Sequence, residues 1–253
     1  LSPSWCSDER AKRKMNPTKP PRFLPSGDSA ILVELGDGID PETNRRVHRL
    51  DRALRETAPD GLVDLVPAYR SLLVLFDPLV ISRSRLLALV ERLAASDREK
   101  ETGPGRIVRV PTCYGGEYGP DLDFVASFAG LTPEEVVEIH ASTTYLVYMM
   151  GFSPGFAYLG GLSPRIATPR LDTPRTSIPA GSVGIAHHQT GIYPVESPGG
   201  WRLIGRTPLR LFDARREPPV ALEPGDSIRF VAIDEASYLK TSREVAQGTY
   251  RLE

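Results

Sequence analysis

Three arginines each follow a proline at a five-residue interval: Ser163-Pro164-Arg165, Thr168-Pro169-Arg170 and Thr173-Pro174-Arg175. A guanidinium presents a planar fork of donors that suits two-point contact with a carboxylate or a phosphate. Arg170 and Arg175 are therefore expected to hold an anionic substrate, or to offset charge that develops on oxygen during reaction. The interval matches neither the period of a strand nor that of a polyproline helix, so spacing alone does not bring the three together.

Other titratable groups lie close by. Asp172 and Glu196 are the carboxylates of this stretch and could serve as a general base, a metal contact or caps of the loop backbone. His140 falls at the end of a helix, where an imidazolium would complement the dipole or take part in catalysis. His187 and His188 are neighbours, and adjacent strand residues point to opposite faces, which argues against a two-histidine metal site. His48 reads as a solvated helix residue. The catalytic set expected from residue type is thus Arg170, Arg175, Glu196 and His140, with no metal ligands.

Residues 151–200 contain sixteen Gly and Pro. Proline fixes φ and glycine permits tight turns, so such a segment is ordered at reduced entropic cost and can form the wall of a binding site. Aromatics interleave with it, in Gly151-Phe152-Ser153-Pro154-Gly155-Phe156-Ala157-Tyr158 and before Trp201, and supply rigid contact area. Phe152, Pro154, Gly155, Phe156 and Trp201 are expected to line the site, with Gln189, Thr190, Tyr193 and Ser197 offering neutral hydrogen bonds.

The formal net charge of −1 over 253 residues gives no broad basic field for nucleic acid or a membrane surface. Two cysteines, Cys6 and Cys113, support no disulfide framework and fit a cytoplasmic setting. No run approaches a membrane span, and the first residues lack the apolar core of a signal peptide. Five lysines stand against twenty-six arginines, and no lysine occurs between Glu101 and Leu239. A site in that span must rely on Arg, backbone amides or a partner chain rather than on an amine. Phosphate-loop, dinucleotide, zinc-protease and serine-hydrolase signatures are all missing.

The elements that position these residues fall into two expected domains. Residues 1–20 read as a disordered tail, with Met15 as a plausible native start. Residues 21–104 read as α+β: a strand over Ala30–Leu35, a helix capped by Asp40-Pro41, strands over Gly61–Val66 and Leu72–Phe76, and a helix opened by Ser82. Completed by Arg106–Val110, this pattern suits a ferredoxin-like sandwich. Gly103-Pro104-Gly105 marks the boundary. Residues 105–245 begin with helices at Leu122–Ala129 and after the capping box of Thr132 and Glu135. Strands are then expected at Tyr145–Met150, Leu209–Phe212 and Ser227–Val231, in a mainly-β barrel or compact sandwich.

Several motifs in order resemble a known family: Tyr114-Gly115-Gly116-Glu117-Tyr118-Gly119-Pro120-Asp121, Gly151-Phe152 through Leu159, Pro179-Ala180-Gly181-Ser182-Val183-Gly184-Ile185-Ala186, Gln189-Thr190-Gly191-Ile192-Tyr193-Pro194, and Glu196-Ser197-Pro198-Gly199-Gly200-Trp201. They are similar to the B subunit of bacterial 5-oxoprolinase, also called KipI or allophanate hydrolase subunit 1, from about Arg22 to Tyr238. The resemblance implies a cyclophilin-like barrel and a cleft shared with a C-type partner of the allophanate hydrolase subunit 2 type. It also implies a third, LamB/YcsF-like partner of the A type, and ATP with Mg2+ consumed in opening 5-oxoproline to glutamate. No biotin attachment site is read. Relatives act as carboxyltransferase parts of urea carboxylase or inhibit a sensor histidine kinase, so the resemblance leaves those alternatives open. The chain departs from the family at His187-His188, where small residues are usual.

Overall fold

The computed structural model describes residues 20–96 and 106–251; the expected tail, Met15 and the boundary at Gly103–Gly105 lie outside them. The chain divides into two compact units, residues 1–98 and 99–253.

The first unit runs β1 (Arg22–Pro25), β2 (Ala30–Glu34), α1 (Pro41–Thr57), β3 (Leu62–Pro67), β4 (Ser71–Phe76) and α2 (Arg83–Ala95). Asp40 accepts the Thr43 amide at 2.9 Å and Pro41 occupies the first turn, so α1 starts where its cap dictates. Val47, Leu50 and Leu54 form its buried stripe. Alternation in β4 turns Leu72, Val74 and Phe76 toward the same core as Ile31 and Val33. The sheet is antiparallel throughout in the order β1-β2-β4-β3.

Its fourth strand is therefore Arg22–Pro25, not Arg106–Val110 as expected. The latter segment belongs to β5 (Ile107–Tyr114) of the second unit, where all six residues of a later strand pair with it in parallel. Register against a strand some 120 residues away in sequence is a tertiary choice that local pattern does not carry.

The second unit continues with α3 (Leu122–Ala129), α4 (Pro133–Ser142), β6 (Thr144–Met150), β7 (Ala157–Gly160), a single 3-10 turn (Pro164–Ile166), β8 (Arg175–Ile178), β9 (Ser182–Ala186), β10 (Gln189–Ile192), β11 (Ser197–Gly199), β12 (Arg202–Arg206), β13 (Ser227–Ala232) and α5 (Glu235–Ala246). Seven strands close into a barrel in the order β10-β7-β6-β13-β5-β12-β9, and β8 pairs with β11 in a small separate sheet. Val183, Ile185, Ile192 and Ile204 fill the barrel interior with Tyr145, Leu159 and Phe230.

Leu209–Phe212 does not form the expected strand. It contributes an isolated bridge, Phe212 with Val220, while Leu209 and Leu211 are buried in the barrel core. Their alternation reflects burial without a ladder. The turn at Glu223–Asp226 is present, with Gly225 at φ 93° and the Asp226 amide on the Glu223 carbonyl at 3.1 Å. No helix among the described residues is long and apolar enough to cross a membrane.

The capping box of α4 is complete: the Glu135 amide donates to Thr132 Oγ1 at 3.2 Å and the Thr132 amide to Glu135 Oε2 at 2.7 Å. Thr132→Ala is expected to lower unfolding free energy by about 1 kcal/mol, read from the midpoint of a urea titration at unchanged slope.

Candidate functional site

Outside the barrel wall lies a cavity of about 320 Å³, and its floor follows from strand periodicity. In β9, Val183 and Ile185 point inward, so Gly184 and Ala186 face out; in β10, Thr190 and Ile192 point inward and Gly191 faces out. Onto this outer face pack Phe156, Tyr193 and Trp201, with Ile178 and Leu203 beneath. A Cβ at position 191 would meet Phe156 Cζ and Trp201 Cζ3, each at 3.1 Å, so glycine there is what lets the rings come down onto the wall.

The rings meet edge to face: Phe156 with Trp201 at 5.6 Å and 86°, Phe156 with Tyr193 at 5.5 Å and 76°, and Phe156 with Tyr158 at 5.0 Å and 64°. Centroids at such distances add favourable quadrupole contacts to the apolar burial. Phe152 closes the array at the mouth, 5.3 Å from Phe156 and 6.3 Å from Tyr193. It is 61% exposed and sits at φ 67°, a left-handed backbone that costs a bulky residue free energy. The loop beneath enforces it. The Gly151 amide donates to the Phe156 carbonyl at 3.1 Å, and Ser153–Phe156 form a turn with Pro154 and then Gly155 at φ 81°.

Pro174 and Pro198–Gly200 complete the lining, tied by the Leu171 amide on the Gly200 carbonyl at 2.7 Å. Arg170 is the one charged residue of the lining. Its guanidinium lies 5.9 Å over the Trp201 ring and, among the described residues, makes no hydrogen bond or ion pair. Burial pushes the Tyr193 phenol upward, partly countered by the Trp201 backbone hydrogen bond and by the charges of Arg170 and Arg175, so it stays protonated near neutrality.

Of the expected site residues, Phe152, Phe156, Arg170, Tyr193 and Trp201 come together in this cavity. Pro154 and Gly155 do not line it but shape the turn that presents Phe152. Arg175 is committed elsewhere. Its Nη2 pairs with Asp121 Oδ1 at 2.9 Å, and the other oxygen of Asp121 accepts the Leu203 amide at 2.7 Å, so Arg175 pins β8 to the entry of α3 and to β12. Glu196 is exposed, accepts the Ser177 hydroxyl at 2.9 Å and caps the small β8–β11 sheet. Ser197 lies in β11 with its hydroxyl on the Val195 carbonyl, and Gln189 sits half-buried at the start of β10, both outside the lining. Arg165 and Asp172 are exposed and also outside it.

His140 and Thr190 are fully buried in the barrel, which removes them from any cleft. Thr190 Oγ1 donates to the Gly184 carbonyl at 3.0 Å, so its one proton is spent. It must then accept from His140 Nε2 at 2.9 Å, leaving Nδ1 to accept the Tyr114 hydroxyl at 2.8 Å. A neutral ring satisfies every partner. Burial drops the imidazole pKa to about 3, so the cationic helix cap expected from sequence is excluded. His187 and His188 form the two-residue turn of the β9–β10 hairpin, with His187 at φ 52°. The family departure thus falls on an exposed turn that favours glycine rather than on the cavity.

Sequence reasoning did not single out Asp121, whose partners lie 54 and 82 residues away. Nor did it commit Tyr158, although that residue belongs to the same aromatic motif.

The closed barrel and its outer aromatic cavity define the class. The chain belongs to the family described as carboxyltransferase domain, subdomain C and D, whose model matches residues 21–222. It is 47% identical over 223 residues to the 5-oxoprolinase B subunit of Bacillus subtilis, covering 84% of this chain and 92% of that one. To the 5-oxoprolinase B subunit of Escherichia coli O157:H7 it is 42% identical, covering 81% and 93%. Among solved structures it matches TTHA0988 with TM-score 0.73 and 40% identity over 81% of this chain, but spans only 40% of that chain. The Kluyveromyces lactis urea amidolyase shares the fold, at TM-score 0.75 and 23% identity over 92% of this chain and 16% of that one.

Two measurements check this architecture. Because the unfolded chain carries a histidine of ordinary pKa about 6.5, the unfolded state binds the extra proton between that value and about 3. The stability contributed by keeping His140 neutral is fully present above pH 6.5 and is lost as pH falls. The slope approaches about 1.4 kcal/mol per pH unit from this group, and denaturant titrations of His140→Leu should show a flatter acid limb than the parent. Asp121→Asn should cost about 2 kcal/mol by breaking the Arg175 pair, seen as a lower melting temperature.

Proposed function

We propose that this chain is the B subunit of an ATP-dependent 5-oxoprolinase and recognises the lactam, 5-oxo-L-proline, in the cavity around Trp201. The observation that carries this reading is an otherwise unpaired Arg170 over an aromatic cage, in a chain similar to the 5-oxoprolinase B subunit over nearly that protein's whole length. A small ring with one carboxylate needs flat apolar walls and a single cation. Phe156, Tyr158 and Trp201 offer the walls, and Arg170 the cation.

The lining holds no carboxylate and no imidazole, and its buried phenol, Tyr193, is held protonated. This chain therefore binds and orients, while proton transfer and activation of the lactam come from elsewhere in a complex. The cavity also does not fit a magnesium nucleotide. Its lining has one guanidinium and no carboxylate to hold a hard cation, and the described residues contain no cluster of three or more His, Cys, Asp or Glu able to hold an ion. No step on this chain is routed through ATP. Proteins of the allophanate hydrolase subunit 2 and LamB/YcsF-like types are the partners proposed to supply that chemistry. The TTHA0988 chain extends well beyond the 40% that this chain matches, which leaves room for a further domain or partner beside this fold. In finer classification, we read the first unit as ferredoxin-like, with its edge strand supplied from the N-terminal side, and the barrel as cyclophilin-like.

ATP-dependent release of glutamate from 5-oxoproline by the reconstituted assembly tests the reading; no turnover with all partners present would overturn it. In the same assay Arg170→Gln is expected to raise KM for 5-oxoproline by about 10-fold or more, as lost charge-assisted hydrogen bonds dictate. Arg170→Lys should recover part of that loss.

A further inference from the structure

The first unit contains a second cavity, of about 540 Å³, between the loop after α1, the loop before α2 and one face of α2. Arg85 and Arg92 lie in its lining seven residues apart, two turns of helix, with Leu89 between them on the same stripe. Neither guanidinium has a hydrogen bond or ion pair among the described residues. Other arginines of this unit do: Arg45 and Arg49 on Glu42, Arg55 on Asp51, Arg22 and Arg70 on Glu34.

The sequence of α2 makes this arrangement specific. Positions three and four away from Arg85 and Arg92 carry no acid, so no helix-face pair can form. Arg85 stands in the first turn, where a cation opposes the helix dipole and no acidic residue offsets it. Helix stability does not account for it there. Arg92 stands in the last turn, where the dipole does favour a cation, but it too is unpaired among the described residues, and the positive end of α2 with the two guanidiniums concentrates positive potential on one cavity.

The remaining lining sets the ligand. Asp60 faces the same space with no partner among the described residues, while Pro59, Ile81 and Leu89 give it an apolar floor. Two cations and one anion leave the lining with a net charge of +1. From this we infer a binding site for an acidic α-amino acid: two carboxylates for Arg85 and Arg92, an ammonium for Asp60, and a short methylene chain over Leu89. That ligand carries a net charge of −1, whereas a polyphosphate would meet Asp60 as a like charge. The cavity admits a molecule of this size together with solvent.

Calorimetric titration of the full chain tests the site, with L-glutamate, glutarate and ADP as separate probes. L-Glutamate should bind saturably and more tightly than glutarate, which lacks the ammonium. The double variant Arg85→Gln, Arg92→Gln should weaken L-glutamate by at least about ten-fold, and Asp60→Asn should erase its advantage over glutarate. Arg170→Gln should leave the titration unchanged. The assignment is overturned by the absence of L-glutamate binding, by binding that survives the double variant or disappears with Arg170→Gln, or by ADP binding more tightly than L-glutamate. The substituted arginines are exposed, and thermal melts of each variant would confirm that it remains folded.

Discussion

Trp201 and Phe156 can rest against the barrel because the outward positions beneath them, 184 and 191, carry no side chain. A Cβ at Gly184 would stand 3.1 Å from the Trp201 Cβ, and one at Gly191 equally close to both rings. A strand ordinarily loses packing by including glycine. Here the missing side chains are replaced by aromatic rings arriving from the connection before β12 (Trp201) and from the loop after β6 (Phe156). The same contact that covers the wall thus builds the cavity floor. Phe152 and Tyr193 meet those rings edge to face, and Arg170 sits over the Trp201 ring.

The opposite face of the same strands faces a different physical demand. Thr190 brings a hydroxyl into a space otherwise filled by aliphatic and aromatic side chains, where an unmade hydrogen bond would be costly. The relay from Tyr114 through His140 and Thr190 to Gly184 discharges it with one proton per link. Because the relay ends on the Gly184 carbonyl, the interior polar chain and the exterior glycine floor share one residue. Polar satisfaction inside and aromatic seating outside therefore hold the same strand in register.

Much of this was legible wherever the signal was local. Caps at Asp40, Ser82 and Thr132 placed three helix starts, and the stripe of Val47, Leu50 and Leu54 placed the buried face of the first helix. The aromatic and glycine motifs pointed to this stretch, and of the residues expected to bind there Phe152, Phe156, Tyr193 and Trp201 line the cavity, while Pro154, Gly155, Gln189, Thr190 and Ser197 do not. What was not legible depended on distant partners. Arg175 looked as available as Arg170, and only Asp121, 54 residues earlier, decides between them. His140 stood at a helix end, where the dipole favours a cation, but burial imposes a larger opposing cost that appears only once the barrel has closed over it. Arg106–Val110 read locally as a last strand for the first unit, and the parallel pairing of β5 with β13 reversed that.

The contrast between the two arginines also limits what this chain can do. A guanidinium already paired with a nearly buried carboxylate cannot follow charge as it develops on a reacting oxygen without breaking that pair, and breaking it leaves Asp121 desolvated and uncompensated. Among the described residues Arg170 has no such tie. Its contact with the Trp201 face is weaker than an ion pair and leaves its donors free for an arriving anion. Within this unit the fixed cation ties β8 to the entry of α3 and to β12, and the free one lines the cavity. Among the described residues no carboxylate or imidazole shares the lining, so the cavity wall itself offers one untied cation beside aromatic faces and no side chain suited to proton transfer near neutrality.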